Sequence, residues 1–315
     1  MSDPTQFEFL KNIDCDIQFN APIGNMTYFE IGGHADTLAT PKSVAGLQEL
    51  LRLCHEHDLP IHILGKGANL LIDDTGIDGV VISLLHDCFK TTAFDEQSGN
   101  HNLHCMAGAD LSKTIMQTAR DGMHGLESLA GIPATIGGGI RMNAGGKYGS
   151  ISDNLTSVHC LSSKGELVVY NIDELEFSYR HSNIIEPLIL SGTFALTSED
   201  PEVVRERVKD IFAWKKSMQP LADTSAGCAF KNPVDENGQR ISAGKLIDQS
   251  GLKGTSKGGA SVSQQHANFI TTSKGATAQD VITVMNTIEK KVFDYTGITL
   301  QREVVVWSRC EVSTT

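Results

Sequence analysis

Residues 131–149, GIPATIGGGIRMNAGGKYG, constrain the fold more than any other stretch, because seven of them are glycine. An interior glycine costs about 1 kcal/mol against alanine in a helix and leaves nothing to pack in a sheet, so the run predicts neither an ordinary helix nor an ordinary strand. A flexible linker does not account for it either. Linkers are polar, whereas Ile132, Ile136, Ile140 and Met142 interrupt this run with side chains that favour burial. A packed turn satisfies both observations, with missing side chains that let main-chain amides approach a ligand.

A ligand held this way can be anionic only through local sites, since the chain carries a formal net charge of −12. That charge opposes nucleic-acid binding, which clustered Lys and Arg drive. No apolar run reaches the roughly 18 residues of a membrane span, and the start, MSDPTQFEFLKNIDCD, lacks the basic and apolar pattern of a signal segment. A cytoplasmic protein is expected. Seven cysteines, odd in number and without a CxxC pair, indicate neither a disulfide framework nor a zinc or other metal site. At 315 residues the chain has room for two domains.

Spacing supplies the elements. Val44, Leu47, Leu50, Leu51 and Cys54 predict a helix over 43–59, stopped by Pro60. A strand over 61–64 then runs into Gly65-Lys66-Gly67-Ala68-Asn69 and resumes over 70–72. A strand feeding a glycine turn aims several amides at one point, as phosphate oxygens require. The turn is neither a P-loop nor a dinucleotide fingerprint, and taken alone it reads as a tight turn with Lys66 in solvent. Strands follow over 79–84 and 102–106, and Asp110 caps a helix in which Leu111, Ile115, Met116 and Ala119 share a face. A hairpin over 155–170 turns at Ser163-Lys164-Gly165, and a strand spans 188–196. Between them stands Tyr179-Arg180-His181-Ser182, where an Arg beside a Tyr reads as a solvated pair or as a site.

A connecting helix over 201–216 has Asp200 as cap and Val204, Val208, Ile211 and Phe212 as its stripe. Residues 225–233 read as a turn and a small-residue strand containing Cys228, and a small buried hydrophobe is the commonest fate of a free cysteine. A short helix over 242–250 and a strand-turn-strand over 258–270 carrying His266 and Asn268 come next. Thr277 and Asp280 form a capping box for the last helix, which buries Val281, Val284, Met285, Ile288 and Val292. In a final strand over 298–307, Glu303 stands where an apolar residue is expected, so it is paired, exposed at the strand end, or functional.

Taken in order, TYFEIGGHAD (27–36), LGKGANLL (64–71), the glycine run, YRHS (179–182), AGCAFKNP (226–233), AGKLIDQSGLKG (243–254), GASVSQQHANF (259–269) and LQREV (300–304) span most of the chain. In these blocks the chain resembles the UDP-N-acetylenolpyruvoylglucosamine reductase family, flavoenzymes that complete UDP-N-acetylmuramate for bacterial peptidoglycan. The resemblance implies an α+β fold: a vanillyl-alcohol-oxidase-like FAD-binding domain over 1–205, in two lobes of about 1–85 and 86–205, then a smaller α+β substrate-binding domain over 206–300. Residues 301–315 would return as a strand to the flavin domain. The gap between Arg180 and Cys228 is too short for the extra tyrosine loop of the longer family branch.

The same resemblance implies non-covalent FAD, with His34 an ordinary surface histidine. FAD would be held by Gly65, Lys66, Gly67, Ala68, Asn69 and Leu70 and by Gly131, Ile132, Pro133, Gly137, Gly138, Asn143 and Gly145. NADPH would be the reductant and a UDP-sugar enolpyruvyl ether the substrate. Arg180 would stabilise negative charge on the substrate carboxylate, a job suited to a permanently charged guanidinium. Glu303 would stabilise or protonate the enol, and residue 228 would deliver a proton to the adjacent carbon. Tyr179, Lys231 and Asn232 are implied substrate contacts, although a turn cap also accounts for Asn232. The chain departs from the family twice: Cys228 stands where serine is usual, and Met218 where a substrate-binding lysine often stands, with Lys215 or Lys216 as substitutes. Two alternatives use the same blocks, a catalytically silent flavin-binding paralogue and a flavin oxidase of the same superfamily, and the second leaves AGCAFKNP and LQREV unexplained.

Overall fold

Residues 4–95 and 101–309 are described by the computed structural model. Within them the chain forms two compact units, one built from 4–20, 36–66 and 79–214, the other from 21–35, 67–78 and 215–309. Each has its own apolar core.

The two larger sheets among the described residues belong chiefly to the first unit. A four-stranded sheet has the order Cys15–Ala21, Ala35–Pro41, Ile77–Ser83, Ile61–Leu64, and its last two strands run parallel with Ile61 opposite Val80 and Leu64 opposite Ser83. Helix α1 (Val44–Glu56) starts where Ser43 Oγ accepts from the Gly46 N–H at 3.1 Å, and it buries Leu47, Leu50, Leu51 and Cys54 as its spacing predicts. The second sheet has five antiparallel strands in the order Leu167–Asn171, Leu155–Leu161, Leu188–Ala195, Asn102–Met106, Thr92–Phe94.

Helix α2 (Leu111–Arg120) is capped by Asp110, which accepts from Lys113 N–H at 3.0 Å. Its buried face departs from the predicted one, because Met116 is 44% exposed and Thr114 and Thr118 are buried instead. Both threonines can be buried because each hydroxyl donates to a carbonyl of its own turn, Asp110 O and Ile115 O. Helix α3 (Ile136–Arg141) corrects a further expectation: the central part of the glycine run, IGGGIR, is helical, capped by Thr135 Oγ1, which accepts from Gly138 N–H at 3.2 Å. Packing overrides propensity here. Ile136 and Ile140 are fully buried, and a Cβ on Gly137 would lie 2.7 Å from Ala107 Cβ, one on Gly139 2.9 Å from Ile151 Cδ1. Helix α4 (Pro201–Met218) buries Val204, Val208 and Ile211, while Phe212, one step further round, is 47% exposed and leaves the predicted stripe.

In the second unit, helix α5 (Ala243–Gln249) begins at Ser242, whose hydroxyl accepts from Lys245 N–H. An antiparallel sheet has the order Ser256–Lys257, Ala260–Val262, Ile270–Thr272. Helix α6 (Ala278–Thr296) has the predicted capping box and all five predicted core residues, and it ends on Gly297 at φ +72°. The strand expected over 298–307 shortens to Val305–Trp307, which pairs parallel with Leu70–Ile72. Residues 225–233 form no strand; single bridges join Cys228 to Phe269 and Phe230 to Arg302. Among the described residues no helix is long and apolar enough to cross a membrane.

Candidate functional site

In the first unit a cavity opens between the end of the strand Ile61–Leu64 and α3, with Leu64, Gly65, Leu84, Gly138 and Arg141 in its walls. Main-chain bonds lace these walls together: Ile136 N–H donates to Ala109 O and Gly137 N–H to Ala107 O, both at 2.9 Å. A Cβ on Gly65 would stand 2.8 Å from Thr135 Oγ1, the hydroxyl that caps α3, so a side chain there would displace the cap. Gly137→Ala is therefore expected to cost about 1–3 kcal/mol, as overpacking does, and to lower flavin retention, read from the visible absorbance per protein. An alanine variant with full flavin content and unchanged stability would contradict that packing. Lys66, read from sequence as solvated, pairs with Asp110 at 2.6 Å, each side chain about a quarter exposed. Burial pushes the Asp110 carboxyl up, but the Lys66 ammonium and the Lys113 N–H outweigh it and hold the carboxyl below its ordinary range.

Also in this unit, Tyr179 and Arg180 form the corner of a hairpin between Phe177–Ser178 and His181–Ser182. Both are half-buried, and Arg180 is in the left-handed region at φ +57°. Its guanidinium stands 5.1 Å over the Tyr179 ring and donates from Nη1 to Gly145 O at 3.0 Å. Asn143, at φ +41°, donates from Nδ2 to Ser178 O at 2.9 Å. Its Oδ1 is buried with no hydrogen-bond donor among the described residues, in a side chain only 8% exposed. A buried acceptor left this way costs about 1–3 kcal/mol unless a ligand supplies the donor. Together with the bare glycine wall, this acceptor fits a flavin, whose ring and ribityl chain carry N–H and O–H groups.

The second unit gathers three sequence-distant segments. Gly67, at φ +64°, presses on residues 26 and 27, where a Cβ would meet Met26 O at 2.6 Å. Asn69 Nδ2 donates to Glu303 O at 3.0 Å, and Asn69 O accepts from Val305 N–H at 3.1 Å, while Leu70 is buried in its strand. Glu303 N–H donates to Ala229 O and Lys231 N–H to Gln301 O, both at 2.8 Å. Cys228, Glu303 and Asn69 thus share one main-chain lattice, and Cys228 and Glu303 are both half-buried. Asn268, noted in the sequence without a role, holds this lattice: its carbonyl accepts from Ala229 N–H at 2.7 Å, its Oδ1 from Phe230 N–H at 3.0 Å, and its Nδ2 donates to Phe230 O at 2.8 Å. Asn232 Oδ1 accepts from Ala243 N–H at 2.9 Å, which ties its turn to α5. Met218 is 50% exposed, and of the two lysines weighed as its substitute Lys215 is buried and Lys216 exposed.

The thiols separate by environment. Burial pushes Cys54, Cys105 and Cys160 up to about 12, and Cys15 likewise with help from Asp14 and Asp16. Cys310 lies outside the described residues. These four thiols stay neutral when folded but ionise from about 9 upward when unfolded, so their stabilisation is complete below pH 9 and is lost as pH rises toward 12. The urea midpoint is expected to fall across that window; a flat midpoint would contradict these burials.

Residues 35–171 match the FAD-binding domain family, and residues 219–307 match the C-terminal domain family of UDP-N-acetylenolpyruvoylglucosamine reductase. The chain is 37% identical to the reductase of that name from Listeria monocytogenes serotype 4a over 92% of its own length and 94% of the relative's. To the reductase from Exiguobacterium sibiricum it is 39% identical, over 92% of each. The crystal structure of UDP-N-acetylenolpyruvylglucosamine reductase (MurB) from Thermus caldophilus superimposes with a TM-score of 0.77 at 32% identity, covering 93% of this chain and 98% of that one. With the glycine wall, the buried Asn143 acceptor and the Asn69–Glu303–Cys228 lattice all lying inside the matched stretch, the chain belongs to the UDP-N-acetylenolpyruvoylglucosamine reductase family.

Proposed function

We propose that this protein reduces the enolpyruvyl group of UDP-N-acetylglucosamine enolpyruvate to UDP-N-acetylmuramate, with NADPH as reductant and non-covalent FAD, in the cytoplasm, as a step of peptidoglycan synthesis. The carrying observation is the lattice that puts Cys228 and Glu303 on the main chain beside Asn69, in a chain whose residues 35–171 match an FAD-binding domain. FAD would be held by Gly65, Lys66, Gly67, Ala68, Asn69 and Leu70 of the turn, and by Gly131, Ile132, Pro133, Gly137, Gly138, Asn143 and Gly145 of the glycine segment. When bound, FAD would supply the hydride-transfer chemistry that links NADPH to the substrate alkene.

The chain's own groups do the rest. Arg180, its head fixed at Gly145 O, opposes the negative charge that spreads onto the substrate carboxylate as hydride arrives. Cys228 donates its Sγ proton to the neighbouring carbon, and Glu303 stabilises or protonates the enol. Tyr179 and Lys231 contact the substrate, and Asn232 sets the turn that presents Lys231. Residues 1–205 would chiefly serve the cofactor and 206–300 the substrate, with the chain from 301 onward returning to the cofactor portion as far as its described residues, 301–309, run. His34, the histidine considered for covalent attachment, is exposed.

Purified yellow protein given NADPH and then the enolpyruvyl substrate is expected to bleach and recover its flavin absorbance, with UDP-N-acetylmuramate formed. Bleaching by NADPH without recovery on substrate would sink the proposal. Acid precipitation is expected to release FAD to the supernatant.

A further inference from the structure

We infer that Arg141 is a positioning residue for Arg180: its guanidinium clamps the chain leaving the Arg180 hairpin onto the glycine segment, and through that clamp sets where the Arg180 head stands. The inference rests on the reading above for what Arg180 does; the clamp itself stands on geometry. A hairpin with two paired residues on each strand is far below what holds together unaided in water. Its corner residue, moreover, has a left-handed backbone that costs a non-glycine residue about 1–2 kcal/mol. Something outside the hairpin must hold it.

The holding segment is 141–145, through alternate residues. Gly145 O accepts from Arg180 Nη1, and Asn143 Nδ2 donates to Ser178 O just before the corner. The remaining bonds belong to Arg141: its carbonyl accepts from Ser182 Oγ at 2.9 Å, Nη1 donates to Ile184 O at 2.7 Å, and Nη2 donates to Glu186 O. Glu186 is itself buried and held from the other side by the Tyr170 hydroxyl at 2.7 Å. A planar fork is suited to hold two alternate carbonyls of a returning chain, those of Ile184 and Glu186, in fixed geometry, whereas an ammonium is a single point charge on a flexible stem. Arg141 also borders the cavity beside Gly65 and Gly138, so its substitution could act on the cofactor instead, and the test separates the two.

The test uses flavin-loaded enzyme in a double-mutant cycle of Arg141→Met and Arg180→Lys, with Arg141→Lys as the gentler variant should the methionine variant fold poorly. Expected are flavin content and NADPH half-reaction rate within about twofold of the parent, and a drop of about tenfold in substrate-driven flavin reoxidation, equivalent to about 1.4 kcal/mol. In the Arg180→Lys background the same change at 141 is expected to cost less than about twofold, because both substitutions remove one unit. Independently of turnover, amides of residues 177–184 are expected to exchange faster in Arg141→Met while those of the five-stranded sheet do not change. Equal losses in both Arg180 backgrounds, unchanged exchange in 177–184, or loss of flavin from both Arg141 variants would each overturn the inference. Parent enzyme that exchanges as expected but never reduces the enolpyruvyl substrate would remove the proposed function, and with it the catalytic half of the inference.

Discussion

Arg180→Met is expected to lower the rate of substrate-driven flavin reoxidation by about 100- to 1000-fold, the loss typical when one preorganised donor is removed from a developing anion. Flavin content and reduction by NADPH should remain within a few-fold. The asymmetry follows from position: Arg180 stands on the hairpin corner, its Nη1 anchored to Gly145 O and its face over Tyr179, and this holds the guanidinium in place before substrate arrives. No reorganisation is then needed when charge develops. Arg180→Lys should recover only part of the loss, since an ammonium keeps the charge without the fork or the stacking face. Rapid-mixing measurement of the two half-reactions decides the matter. Equal losses in both would assign Arg180 to the cofactor and not to the substrate carboxylate.

Cys228→Ala should reduce turnover by about 100- to 10,000-fold, the usual value of a positioned proton donor, whereas Cys228→Ser should keep most of it. Iodoacetamide should inactivate the parent and spare Cys228→Ser. Selectivity is favoured because Cys15, Cys54, Cys105 and Cys160 are pushed up to about 12, and Cys88 is raised too, chiefly by burial. Peptide mapping is the check. Complete labelling of Cys228 with reoxidation at its original rate would remove the thiol from the mechanism.

Much of the fold was legible where a local cause sufficed. The α6 capping box, the α1 stripe, the 61–64 strand and the 155–170 hairpin each depend on residues within a few positions of one another, and each stands where spacing placed it. Errors arose where a distant neighbour overrode the local preference. Met116 gave up its place on the buried face of α2 to Thr114 and Thr118, Phe212 is left exposed on α4, and Gly137 and Gly139 of the helical IGGGIR are glycine because Ala107 and Ile151 leave no room for side chains. Asn268 was noted in the sequence but could be given no role, because both of its side-chain bonds go to Phe230, 38 residues away.

By itself the sequence determined which chemical groups the chain owns and the order of its blocks: the glycine turns, Arg180, a thiol at position 228, and a carboxylate at the head of the last strand. Those are properties of residues and of near neighbours. Only the tertiary structure decided which segments within each unit stand together, because contacts such as Asn69 to Glu303, 234 residues apart, depend on loop closures that no local periodicity records. The same holds for Arg180, whose left-handed corner is tolerated because residues 141–145 bind the hairpin around it.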